Sequence, residues 1–117
     1  MKTSKAYFEK FIAEFLRWRD LFGLTQYRVD FFHEKLDGNY AEISASEMEK
    51  AVRISLTTEI SKDSAKVDGG PEAHAKHEAI HLLLHRLRWL GDCRYIESTD
   101  LNEEWEAIVV RLEKVLK

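Results

Sequence analysis

The sequence predicts an α+β fold, one small antiparallel sheet with helices packed against it. Three observations carry that expectation. An apolar stripe at helical spacing opens the chain, three short alternating runs follow, and two more helical stretches close it. Helices and strands are thus segregated along the chain rather than interleaved. At 117 residues a single domain, 1–117, is expected, large enough to bury a core without disulfide staples.

From Ala6 to Phe22 the residues Tyr7, Phe8, Phe11, Phe15, Trp18 and Phe22 recur at helical spacing, with Glu9, Lys10, Glu14 and Arg17 between them. Thr3 or Ser4 can cap the start, and Gly23 stands where a glycine ends a helix. The period then changes to two. Tyr27, Val29 and Phe31 alternate with Arg28 and Asp30; "YAEISAS" alternates from Tyr40, and "AVRISL" places Val52, Ile54 and Leu56 on one face. "LDGNY" is a strong turn signal, so the three strands read as an antiparallel meander. The polar "SKDSAKVDGG" is the one stretch that reads as a flexible loop.

Pro71 suits the first position of a helix, where its missing N–H costs nothing. That helix is expected from about Pro71 to Leu90, stopped by Gly91. Asp100 reads as the cap of a last helix, with Glu103 in the capping-box place. In that helix Leu101, Trp105, Ile108, Leu112 and Val115 form the stripe expected to face the core.

Composition excludes several roles. A net charge of −3 offers no basic footprint for nucleic acid. No apolar run approaches the roughly 18 residues of a membrane span, and "MKTSKAYFEKF" lacks the apolar stretch of a signal peptide. A single cysteine, Cys93, rules out an intramolecular disulfide and suits a reducing, cytoplasmic setting.

The chemistry concentrates in "KHEAIHLLLH", which holds three of the five histidines. His77, Glu78 and His81 spell H-E-x-x-H. Residues four apart lie one above the other on a helix, so both imidazoles can reach one ion. Tetrahedral zinc takes such nitrogens at about 2.0–2.1 Å. Glu78 follows about 100° around the helix, near enough to touch a water on the metal and act as general base. The spacing is that of a zinc-dependent hydrolase, with one Zn²⁺ per chain.

His85 extends the run, but eight residues at 1.5 Å separate it from His77 by about 12 Å. It is expected beside the site or on the surface rather than as a ligand of the same ion. His74 and His33 have weaker claims. A catalytic zinc needs a third protein ligand. The last helix offers Glu103, Glu104 and Glu106; the helical wheel turns Glu103 away and leaves Glu104 and Glu106 open, leaning to Glu104.

"HEAIHLLLH" is similar to the active-site helix of the ImmA/IrrE family of zinc peptidases. The order of elements also resembles short metallopeptidases of phages and prophages, small gluzincins whose third ligand is a glutamate on a later helix. The resemblance covers nearly the whole chain in element order and two short motifs in residues. It implies a minimal zincin-like fold, His77 and His81 as ligands and Glu78 as base. Ligand glutamates in these families precede apolar residues at +3 and +6. Glu106 has Val109 and Leu112 there, which tips the third ligand to Glu106, with Glu104 in reserve. At +4, where relatives often carry a polar residue, this chain has Val110. The resemblance also implies a peptide or protein substrate lying along an edge strand, either "AVRISL" or the strand before it.

Two other functions fit the same residues. The domain can hold zinc as a regulatory or protein-binding module without cutting its partner. It can also lack metal altogether and associate through Trp18, Trp89 or Trp105.

Overall fold

A computed structural model describes residues 2–60, 69–93 and 97–116. The order is α1 (Lys5–Leu21), β1 (Arg28–His33), β2 (Ala41–Ser46), β3 (Ala51–Leu56), α2 (Gly70–Asp92) and α3 (Ser98–Val115). The fold is α+β, as expected. Most of the "SKDSAKVDGG" segment, read as a flexible loop, lies outside the described residues.

The sheet corrects the sequence reading. Its order is β1-β3-β2, with β3 antiparallel to β2 but parallel to β1, so it is mixed rather than an antiparallel meander. The "LDGN" signal does not close a hairpin. The chain from His33 to Ala41 passes over one strand position, and the tight turn is instead the four residues between Ser46 and Ala51. Lys50 takes a left-handed φ of 52° there. β3 is the most buried strand, with Val52, Ile54 and Leu56 at 0–1% exposure, and the central position is where such a strand gains most.

Register explains which face is covered. Phe31, Ile54 and Ile43 lie in one cross-strand row, flanked by the rows Val29–Val52–Ala45 and His33–Leu56–Ala41. Phe31 meets the rings of Phe11 and Phe15 of α1 edge-on at 6.5 and 5.7 Å. Ile43, in the same row, borders a groove with α2. Both helices therefore cover one face of the sheet, α1 over β1 and α2 beside β2. The core between them holds Phe11, Phe15, Ala75, Ala79, Leu82 and Leu83. Each fully buried Phe contributes about 2–3 kcal/mol.

Helix ends follow local chemistry. The Ser4 hydroxyl accepts from Tyr7 N–H at 3.0 Å. Gly23, at φ 71°, closes α1 as the sequence suggested, its N–H donating to Asp20. Pro71 opens α2, but Gly91 does not stop that helix, which runs on to Asp92. Asp100 lies in the first turn of α3 rather than at its cap. Glu97 is the capping residue, with no side-chain cap bond.

The stripe of α3 is also corrected. Ile108 and Glu104 are buried, whereas Trp105 is 65% exposed. The helix is rolled relative to its expected apolar stripe so that Glu104 turns inward. No described helix is long and apolar enough to cross a membrane.

Candidate metal and peptide site

α2 is one unbroken helix from Gly70 to Asp92, so the histidines keep ideal helical spacing. His77 and His81 are exposed, and their rings meet edge to face with the two Nε2 atoms 3.1 Å apart. Two nitrogens on one tetrahedral zinc at 2.0–2.1 Å would stand about 3.3 Å apart. The pair therefore fits one small cation with little rearrangement.

Glu78 is buried beside them at 6% exposure. Burial pushes its carboxyl upward in pKa, against the opposing pull of His81, His77 and His74; Glu42 adds to the rise. A carboxyl in such a place takes up a proton more readily than an exposed one, which suits a general base.

β2 and α2 run side by side in the same direction. Tyr40, just before β2, stacks on His74 at 4.4 Å between centroids, Glu42 is close enough to influence Glu78, and Glu47, just after β2, bonds to His85. The groove between them has a volume of about 750 Å³. Asn39 and Glu42 border one end, Glu78 and Ile43 the middle, and His85 and Arg88 the other end. β2 has no strand on its outer side among the described residues. Of the two strands offered as the edge, "AVRISL" is excluded because β3 is central; the strand before it is an edge, and it is the one beside α2.

The remaining expected residues fall in different places. His85 is a neighbour of the site, half-buried on the groove wall. His33 is structural: the Thr3 hydroxyl donates to Thr57 C=O at 2.6 Å and so accepts from His33 Nε2 at 2.6 Å, while the ring stacks on Phe8.

The structure does not bring a third donor to the imidazole pair. Among the described residues no group of three His, Cys, Asp or Glu side chains is disposed around one point. Glu106 is exposed on α3. Glu104 is buried and held by Arg86, Nε to Oε2 3.2 Å.

Sequence reasoning missed Glu47 entirely. Its side chain is 1% exposed and accepts from Tyr27 Oη at 2.5 Å, Lys50 Nζ at 2.7 Å and His85 Nδ1 at 2.8 Å, with Arg86 Nη1 at 3.6 Å. Despite burial, these donors hold its carboxyl down at about 2. The same carboxylate, together with burial, pushes the Tyr27 phenol upward. In the sequence Glu47 is one acid in "SEMEK", with no periodicity to mark it as buried.

The chain matches no protein-family model, no curated protein and no solved structure.

Proposed function

We propose that the chain is a metal-dependent peptide hydrolase built on His77, Glu78 and His81. The observation that carries this reading is the convergence of the two Nε2 atoms at 3.1 Å beside a buried carboxyl, on the wall of a groove along an open strand edge. His77 and His81 would hold zinc. Glu106 would be the third donor, as the resemblance implies, once α3 shifts to bring it to the imidazole pair; the alternative, Glu104, is held by Arg86. Bound there, zinc would supply Lewis-acid chemistry, polarising a carbonyl and acidifying a water.

The chain's own residues do the rest. β2 offers unpaired N–H and C=O groups on which an extended peptide can lie as a further strand. That lays the peptide along the groove, with a backbone carbonyl beside the imidazole pair. Glu78 takes the proton of the attacking water and passes it to the leaving amine. The small gluzincins whose motif the chain resembles work in this way, and the free thiol of Cys93 goes with a cytoplasmic setting.

The test is metal content by mass spectrometry on protein purified without added zinc, followed by a peptide-cleavage screen. One zinc per chain, lost in His81→Ala, and cleavage that vanishes in Glu78→Gln while zinc stays bound, is the expected result. A native chain that neither holds nor takes up zinc overturns the proposal.

A further inference from the structure

Beyond the reacting groups, the groove has a built end that the hydrolase reading does not use. His81, His85 and Arg88 follow one another at helical spacing on the α2 wall, and all three border the groove. His85 is not a loose surface ring. Its Nδ1 lies 2.8 Å from Glu47 Oε2, and that carboxylate is itself fixed by Tyr27 and Lys50. Since Glu47 is ionised, Nδ1 carries the proton, and Nε2, across the ring, is the nitrogen left for the groove. Arg88 is 86% exposed, its one partner among the described residues being Asp92 at 3.9 Å, also exposed. Such a pair leaves the guanidinium available to a ligand. At the opposite end of the groove stand Asn39 and the carboxylate of Glu42. The groove is therefore electrically polar along its length, acidic at the start of β2 and basic at the end of α2.

We propose that Arg88 forms a specificity subsite for a carboxylate of the bound peptide, two to three residues from the bond at His77 and His81, with His85 beside it as an acceptor for the peptide backbone. The distance follows from geometry. His85 and Arg88 lie four and seven residues beyond His81, about 6 and 10 Å along the helix axis. An extended chain covers about 3.3 Å per residue, so a ligand lying along β2 reaches them after two or three residues. Because β2 and α2 run the same way, one peptide can touch the strand edge and both side chains at once. Arg88 gives charge and a two-pronged donor for the carboxylate, whereas His85 Nε2, an acceptor, can take a backbone N–H of the same peptide. The carboxylate can come from an Asp or Glu side chain or from the peptide's own C-terminus. The inference rests on the groove being a peptide site, but not on catalysis.

The experiment is fluorescence anisotropy on zinc-loaded Glu78→Gln protein with labelled decapeptide pools, Glu, Gln or Lys fixed at each position in turn. Each pool is made with a free and an amidated C-terminus. Glu pools are expected to bind roughly tenfold tighter than Gln pools at one position, the size of one charge-assisted contact. Arg88→Glu should turn that preference toward Lys. His85→Asn, which can still donate to Glu47 but has no Nε2, should weaken binding of the Glu and Gln pools alike and leave the preference in place. Loss of the preference on amidation assigns it to the chain terminus, and its persistence to the side chain. Equal binding of Glu, Gln and Lys pools, an unaltered preference in Arg88→Glu, or no binding of any pool overturns the subsite. Mass spectrometry of the same pools after incubation with wild-type protein separates the two readings. A charge preference without cleavage sinks the hydrolase alone, and cleavage without a charge preference sinks the subsite alone.

Discussion

Arg86 grips Glu104 at 3.2 Å on the side of α2 turned away from the His77–His81 imidazole pair. Arg86 lies five residues after His81, which places it about 140° around the helix from that ring. A carboxylate tied to Arg86 is thus kept off the His77–His81 face, although a helical wheel of α3 alone favoured it. Glu104→Ala is expected to leave zinc content unchanged and to cost about 1 kcal/mol of stability, since Arg86 is itself half-exposed. Glu106→Ala is expected to weaken zinc binding by more than the roughly 10–100-fold that outer partners are worth. Zinc retained in Glu106→Ala and lost in Glu104→Ala would reverse the assignment and require the Arg86–Glu104 pair to break as α3 moves toward the imidazoles.

Glu47 makes the fold sensitive to acid. Its folded carboxyl titrates at about 2, below its ordinary 4.5, so its contribution is complete above 4.5 and disappears as pH falls toward 2. Urea denaturation between pH 6 and pH 3 should show stability falling over that window. Glu47→Gln should flatten the slope and cost about 2–3 kcal/mol at pH 7, because the charge facing Lys50 is lost and an NH2 donor replaces one of the two oxygens that accept from Lys50, His85 and Tyr27. An unaltered slope in the variant would remove Glu47 from this role.

Glu78 has the opposite sign. Burial raises its carboxyl, so its favourable contribution is present at low pH and is lost as pH rises through the folded value. In the metal-free protein at pH 7, Glu78→Gln is therefore expected to raise stability, by on the order of 1 kcal/mol, while removing the base. A thermal melt of the apo variant checks this. A lower melting temperature would mean that the carboxylate is better compensated than its surroundings indicate.

Hydrogen exchange tests the strand order. β3 pairs on both sides, so its amides should all be slow to exchange, whereas β2 should show slow and fast amides alternating along its outer edge. An antiparallel meander would instead make β2 the slow, central strand.

Packing follows the same order. Ile54→Ala, at a fully buried site in the central strand, should cost about 2–5 kcal/mol. Met48→Ala, at 83% exposure in the turn, should stay within about 0.5 kcal/mol. Comparable losses at the two positions would contradict the burial of β3.

The helices and strands were legible because each has a period that its own residues display. α1 and α2 begin and end within about two residues of the expected places, and Pro71 and Gly23 act as local signals do. H-E-x-x-H was legible for the same reason: spacing on one helix determines that His77 and His81 share a face, whatever packs around them.

Strand partners were not legible. Alternation says which residues share a face, not which edge each strand meets. "LDGN" looks like a hairpin whether or not the next strand docks beside the last. "AVRISL" alternates as an edge strand does, so its own residues do not mark β3 as central.

What the sequence by itself determined is local: the element types, the apolar faces and the imidazole pair, all products of short-range spacing. Tertiary structure alone decided that β2 is the edge beside α2, that Glu104 turns inward to Arg86, and that Glu47 is buried against Tyr27 and His85. These pairings join residues 18 to 38 positions apart. They are settled by which buried charges find partners once helix and sheet meet, a balance of desolvation and pairing that no local pattern encodes.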